Sequence, residues 1–230
     1  KKFQIKSKNW SYHDYRDFSA DVFIPTIKSF IKNKYLNCRV GNITDNILKI
    51  NSNLFIDYSK SEYISEELDI YLLFRSKFFV GTGSGLDKIA SFLRVPMLCI
   101  NSHQLSYMPH YFHKCIYVPN NYIDLEKNKL ISFRDQINPN YKKDRITGRN
   151  ISKYVTTDEF IRNNIKIIYN DPDQILESSK EINLLAENKF NLEKKDQKLQ
   201  NSFWNIVKMK KISNNFFISP SFLRKNIDLL

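Results

Sequence analysis

Cysteine and glycine are scarce in this 230-residue chain, and long apolar runs are absent. Three cysteines, Cys38, Cys99 and Cys115, are too few and too widely spaced for a disulfide framework or a zinc knuckle. The longest apolar run, residues 70–74, has five members, whereas a membrane-spanning helix needs about 20. Because 42% of the residues are apolar, the chain can still build a real core, and we expect a soluble, intracellular protein.

Arginine is also scarce, although the net charge is +12. Lysine supplies 27 of the 36 basic residues, and isoleucine, asparagine and lysine together make about a third of the chain, a bias typical of an AT-rich genome. Proteins that read nucleic acid favour arginine, whose guanidinium makes bidentate contacts to bases and phosphates. The charge therefore predicts no nucleic-acid partner, and it fits an anionic ligand or surface better.

Short apolar runs alternate with helical patterns over the first 120 residues, and this rhythm predicts an α/β fold. The expected architecture is a Rossmann-like, mostly parallel sheet with flanking helices. Residues 1–19 would lead into this core, which occupies residues 20–120. The predicted strands lie at 37–40, 54–58, 78–80, 96–100 and 116–118, and the predicted helices at 22–31, 66–74 and 86–93.

The second half of the chain has a different pattern. Residues 121–155 are rich in Asn, Lys and Pro, which predicts a long surface loop. Residues 156–230 are expected to form helices that pack on the core. A capping-box sequence at Thr156 predicts a helix through Ile168, and Asp171-Pro172 begins a second helix that runs to about Phe190. A third helix is predicted at 197–211.

Three of the five glycines fall within Gly81-Thr82-Gly83-Ser84-Gly85, between a predicted buried strand and a helix. Glycine permits close backbone approach, and a helix N-terminus offers unpaired N–H groups and partial positive charge. This combination suits a phosphate or diphosphate at the carboxyl end of a parallel sheet. It is neither a P-loop nor a dinucleotide fingerprint, because the Lys-Ser/Thr pair and the first-strand position are missing. The alternative is a tight turn whose glycines serve packing alone.

Other polar residues are placed to join such a site. Arg16 could clamp a phosphate with its fork of donors, and His13 or Asp14 could exchange a proton with a hydroxyl nucleophile. The alternative for this segment is a surface loop that caps the next helix. Asp87 could serve the helix dipole or accept from a ribose hydroxyl, and Asn101 follows a strand at the same sheet edge. His110 and His113 lack carboxylate or thiol neighbours at ligand spacing, so no metal site is predicted.

Three strings resemble the motifs of a group of bacterial GT-B-type glycosyltransferases found in surface-polysaccharide gene clusters. They are YHDYR at 12–16, FVGTGSGLD at 79–87 followed by Val-Pro and Asn101, and FISPSFL at 217–223. The first resembles the group's central motif, the second its donor-site loop and next strand, and the third its C-terminal signature. The glycine loop with its downstream Val-Pro is also similar, more loosely, to heptosyltransferases, nucleotide-sugar 2-epimerases and O-fucosyltransferases.

The resemblance implies that this chain transfers a sugar from a nucleotide-sugar to a glycan or lipid-linked acceptor in surface polysaccharide or lipopolysaccharide synthesis. Catalysis would involve His13, Asp14 and Arg16. No metal or other cofactor is implied, since helix dipole and basic side chains replace it. The donor would lie against Gly81, Thr82, Gly83, Ser84, Gly85, Asp87 and Asn101, with Arg39 and Gly41 near the base.

One Rossmann-like unit is half of what a GT-B enzyme needs. We therefore expect this chain to be the donor-binding half of a longer enzyme or a truncated reading frame, incomplete without an N-terminal Rossmann-like partner domain. Two alternatives stay open. One is an enzyme similar to a nucleotide-sugar 2-epimerase or a hydrolase, and the other is a basic protein that binds nucleic acid or a membrane surface.

The C-terminal stretch, residues 189–230, is basic and interleaves aromatic residues with lysines. A basic amphipathic helix can lie on an anionic membrane. This would suit a lipid-linked acceptor and a cytoplasmic protein held at the inner face of the membrane. The favoured alternative is that the apolar face of this helix packs back onto the domain.

Overall fold

The computed structural model describes residues 17–41, 47–101, 105, 108–109, 112–137, 152–154, 156–208 and 213–230. Within them the chain is a mixed α/β protein. The predicted catalytic residues His13, Asp14 and Arg16 lie outside the described residues, as do residues 138–151 of the predicted long loop.

A four-stranded parallel sheet forms the centre of the fold. Its strands are β3 (Phe79–Gly81), β4 (Met97–Cys99), β5 (Cys115–Tyr117) and β9 (Phe216–Ile218), in the order β3-β4-β5-β9. Every residue of β4 and β5 is buried, as expected for a parallel sheet covered on both faces. This sheet with flanking helices confirms the α/β prediction and is compatible with a Rossmann-like fold.

A separate parallel pair precedes this sheet, formed by β1 (Asn37–Arg39) and β2 (Phe55–Asp57). The helices of this half of the chain are α1 (Ile24–Lys32) and α2 (Glu66–Arg75), which precede the central sheet, and α3 (Gly85–Phe92), which joins β3 to β4. Pro25 lies in the first turn of α1, where no N–H is needed, and Ser65 caps α2 by accepting from the Leu68 N–H at 3.1 Å. The strand and helix positions predicted for residues 20–120 are therefore confirmed.

The prediction of a long loop at residues 121–155 was wrong for the first part of that segment. This segment begins with β6 (Asn121–Asp124) and β7 (Lys129–Leu130), which join β8 (Ile165–Ile168) in an antiparallel sheet of order β7-β6-β8. A second small core supports the sheet, formed by Tyr122, Tyr154, Phe160 and Ile165. A short strand with polar residues on its open face has few apolar residues, so composition alone suggested a loop.

The helix predicted from Thr156 through Ile168 was half right. The capping box is present, with Thr156 and Glu159 bonded reciprocally, and it starts α4 (Thr157–Arg162). The helix then ends, because Asn164 adopts a left-handed backbone with φ 52°, and β8 follows. The β-branched isoleucines of β8 favour a strand that pairs with β6.

The C-terminal third contains α5 (Pro172–Ala186), α6 (Lys194–Val207) and α7 (Pro220–Lys225). Sequence reasoning missed β9, which lies at the sheet edge beside β5. The side-chain amide of Gln200 completes that edge, since it bonds both the N–H and the C=O of Ile218. This contact occupies backbone groups of an edge strand that would otherwise be open to another chain.

Helix α6 packs back onto the domain, as the favoured alternative proposed. Its buried residues are spaced as one helical face and comprise Asp196, Gln200, Phe203 and Val207. Asp196 also accepts two hydrogen bonds from Arg224 of α7, at 2.8 and 2.9 Å. None of the described helices combines the length and apolar composition that a membrane crossing requires.

A surface ion cluster makes the stability depend on pH. Hydrogen bonds from Lys77 and Lys189 lower the pKa of Glu187 from 4.5 to about 2. A carboxyl whose pKa falls on folding stabilises the protein above its unfolded pKa, and this contribution is lost as the pH falls through its folded pKa. We expect Glu187→Gln to flatten the decline in the urea midpoint between pH 4.5 and 2. A decline as steep as that of the wild type would contradict this.

Candidate functional site

The glycine loop lies at the carboxyl edge of the central sheet, as predicted. Gly81 ends β3, the loop follows, and α3 begins at Gly85. The Gly81 carbonyl accepts the Ile100 N–H at 3.0 Å, so the exits of β3 and β4 are adjacent. Because all four strands run in parallel, the residues that follow each of them meet at this edge.

The three glycines of the loop have different reasons to be glycine. A Cβ on Gly81 would lie 2.6 Å from Oδ1 of Asp87, so Gly81 makes room for that carboxylate. Gly83 has φ 87°, a conformation that other residues rarely adopt. Apart from its chain neighbours and its own helix backbone, no described atom lies within 4 Å of the position where a Cβ of Gly85 would be. Packing and backbone geometry therefore explain the first two glycines and leave the third unexplained.

Asp87 braces the loop from beneath. It is 4% exposed, its Oδ2 accepts the Gly83 N–H at 2.8 Å, and its Oδ1 accepts the Ser84 hydroxyl at 3.0 Å. Burial raises the pKa of this carboxyl, and the bonds from Gly83 and Ser84 partly oppose the shift. The pattern Ser84-x-x-Asp87, a hydroxyl followed three residues later by an acid at a helix start, could have indicated a contact between these two residues.

The bracing by Asp87 changes the interpretation of the loop as an anion cradle. The Gly83 N–H and the Ser84 hydroxyl already have a carboxylate partner, so these two donors are not simply open to a phosphate. At the start of α3, however, the N-cap Ser84 accepts no hydrogen bond from the first turn. Ser84 and Gly85 are exposed, so a ligand can approach the N-terminus of this helix.

Arg39 lies in β1 of the two-stranded sheet and Gly41 follows that strand, so both lie apart from the strands of the sheet that carries the loop. The Arg39 guanidinium bonds Oδ2 of Asp57 at 3.2 Å, and the same oxygen accepts the Leu48 N–H at 3.1 Å. Gly41 has φ 126° at the exit of β1, where the chain needs a residue without a Cβ. Asp57 is thus a partner of Arg39, and no sequence motif indicated this pairing.

Asn101 lies at the exit of β4 and is held by Asn170, which sequence reasoning missed. The Asn101 N–H donates to Oδ1 of Asn170 at 2.9 Å, and the Asn170 N–H donates to Oδ1 of Asn101 at 2.6 Å. Nδ2 of Asn170 also donates to the Pro119 carbonyl at 2.9 Å, at the exit of β5. Asn170 directly precedes the N-cap of α5, Asp171, so the only local signal was an asparagine beside a helix start.

The FISPSFL string forms a buried polar cluster at the start of α7. The carboxylate of Glu181 accepts the Ser219 hydroxyl at 2.6 Å and the Ser221 N–H at 2.8 Å. Burial raises the pKa of Glu181, although those hydrogen bonds oppose the shift. Ser219 is 0% exposed, so this cluster holds α7 against α5 and offers no surface to a ligand.

Of the four histidines, His113 alone lies among the described residues. His103 and His110 lie outside the described residues, whereas His113 is exposed on the segment before β5. Within the part of the chain that the structure describes, no three His, Cys, Asp or Glu side chains are grouped to hold a metal ion.

Comparison with known proteins identified no relative of this chain. No protein-family model matches the chain, and no curated protein or solved structure matches it. Support for a function therefore comes from the motif resemblance and from the geometry of the glycine loop and its neighbours.

Proposed function

We propose that this chain is the donor-binding half of a GT-B-type glycosyltransferase, which holds a nucleotide-sugar through its diphosphate at the glycine loop. The acceptor is a glycan or a lipid-linked glycan of a bacterial surface polysaccharide. An N-terminal Rossmann-like domain supplies the acceptor side of the cleft, and Arg16 neutralises the leaving nucleoside diphosphate. The proposal builds on the motif resemblance and on the position of the loop.

Gly85 is the observation that carries the proposal. It opens an eight-residue helix at the carboxyl edge of a parallel sheet, it is exposed, and no described atom beyond its chain neighbours and its own helix backbone occupies the space beside it. A glycine that neither packing nor backbone conformation requires is expected where a ligand approaches the backbone closely. The first-turn N–H groups there favour a negatively charged oxygen.

The experiment that tests the proposal is Gly85→Ala. Since the site of the new methyl group is open, the variant should fold with a free energy of unfolding unchanged or raised by up to about 1 kcal/mol. The same methyl group would occupy the space of the diphosphate, so affinity for the preferred nucleoside diphosphate should fall about tenfold or more. Calorimetry with UDP, GDP, ADP and CMP measures both the preference and the loss.

Ser91→Ala is the matched control, because it changes α3 seven residues from its N-cap at Ser84 and should leave affinity unaltered. Gly83→Val is a poorer probe, since φ 87° strains any branched side chain whether or not a ligand binds. Unaltered affinity in Gly85→Ala would refute the loop as the donor site. Isomerisation of a nucleotide-sugar without acceptor would favour the epimerase alternative, and a steep salt dependence of polynucleotide binding would favour nucleic acid.

A further inference from the structure

Asn101 has a strained backbone at a position where no helix ends. Seven non-glycine residues in the described part of the chain have positive φ, and Asn101, with φ 42°, is the one that follows a strand of the central sheet. Most of the others, such as Lys34 and Arg94, come just after helices, where a left-handed residue is an ordinary C-terminal cap. Strain of this kind persists only where surrounding contacts enforce it, and it clusters at binding sites.

The enforcing contacts come from Asn170. The two asparagines exchange backbone-to-side-chain hydrogen bonds at 2.9 and 2.6 Å, and both residues are at least 95% buried. The bond from Asn170 to the Pro119 carbonyl then fixes Asn170 itself to the exit of β5. Asn170 therefore ties the exits of β4 and β5 to the start of α5.

This exchange also fixes which way the Asn101 amide is turned. Because Oδ1 of Asn101 accepts the Asn170 N–H, the other terminal atom is the NH₂ donor. That Nδ2 atom is buried and has no hydrogen-bond acceptor among the described residues. An unsatisfied buried donor is costly, and in a native fold it calls for a partner such as a ligand, an ion or a bound water.

The donor lies at the same sheet edge as the glycine loop. Ile100, the residue before Asn101, donates its N–H to the carbonyl of Gly81, the first residue of the loop. We propose that Asn170 is a positioning residue, which holds Asn101 so that its Nδ2 donates to one acceptor oxygen of the nucleoside diphosphate bound at the loop. This inference rests on the proposed function and adds a residue outside every motif of the resemblance.

The Asn101→Asp variant removes the Nδ2 donor and keeps the oxygen that accepts the Asn170 N–H. Aspartate also tolerates positive φ, but it replaces the NH₂ donor with an oxygen, and its carboxylate charge repels a diphosphate as well. We expect about a tenfold or greater loss of affinity for the preferred nucleoside diphosphate. Asn188→Asp is the matched control: Asn188 also has positive φ, 58°, and its Oδ1 accepts from Lys114 at 2.7 Å, yet it follows α5 at the opposite end of that helix.

Asn170→Ala and the double variant test the positioning role. If Asn170 acts through Asn101, Asn170→Ala weakens binding of the nucleoside diphosphate in the wild-type background. It then adds little once Asn101→Asp is present. A merely structural role would lower the melting temperature in both backgrounds and leave the affinity of the folded protein unchanged. Repeating the titrations with inorganic pyrophosphate identifies the acceptor: a matching loss assigns it to the diphosphate, and no loss assigns it to the nucleoside.

The outcomes separate this inference from the proposed function. Loss of affinity in Gly85→Ala with wild-type affinity in Asn101→Asp overturns the inference and leaves the donor site standing. Equal, additive losses in the double variant overturn the positioning role of Asn170 while keeping the Asn101 donor. If the wild-type chain binds none of the nucleoside diphosphates, both the inference and the donor site are overturned.

Discussion

Gly81→Ala should lower the free energy of unfolding by about 3 kcal/mol, the upper end of what an overpacked buried site costs. The new Cβ would lie 2.6–2.8 Å from three atoms of the Asp87 carboxylate, a distance that real Cβ atoms do not show. Asp87 cannot simply rotate away, because both its oxygens hold the loop and it is 4% exposed. Urea unfolding of the two proteins measures the difference.

A double-mutant cycle identifies the cause of this loss. In an Asp87→Ala background the carboxylate is gone, so Gly81→Ala should cost much less than it does in the wild type. Gly85→Ala serves as the control, since the same added methyl group meets open space there. Equal costs of Gly81→Ala in both backgrounds would mean that the clash with Asp87 is not the reason for the glycine.

Phe203→Ala should cost about 3–5 kcal/mol, the range for truncating a fully buried phenylalanine. Phe203 is 0% exposed on α6, and its ring lies edge-on to Phe133 at 5.3 Å and to Trp204 at 5.8 Å between centroids. Removing the Phe203 ring leaves a cavity between α6, the sheet and the segment around Phe133. Chemical denaturation followed by circular dichroism gives the value.

The same variant tests the membrane alternative for the basic C-terminal stretch. If the apolar face of α6 belongs to the core, Lys198→Ala on its exposed face should change stability by less than about 0.5 kcal/mol. Vesicles that contain anionic lipid should then bind neither the wild type nor the Phe203→Ala variant through the apolar face of α6. A Phe203→Ala protein of wild-type stability, together with a wild type whose vesicle binding requires Phe203, would instead assign the face to the membrane.

Local patterns were sufficient for the first half of the fold because each element there carries its own signal. The run at residues 78–80 is apolar and short, and the glycines that follow mark its exit. The glycine loop therefore lies between a buried strand and a helix, as the sequence predicted. Predictions for the second half were wrong where a segment depends on a distant partner. Strand β8 forms because β6 pairs with it, and β9 forms because β5 lies beside it.

The candidate site likewise combines features that the local sequence predicts with features that only tertiary contacts determine. The sequence by itself determined that a glycine-rich turn opens a helix at the carboxyl edge of a parallel sheet, since composition and spacing are local properties. Only the tertiary structure decided which glycine is left without an internal reason, because that depends on the position of Asp87 beneath the loop. Only it joined Asn101 to Asn170, because 69 residues separate them and their contact arises from the packing of α5 against the sheet.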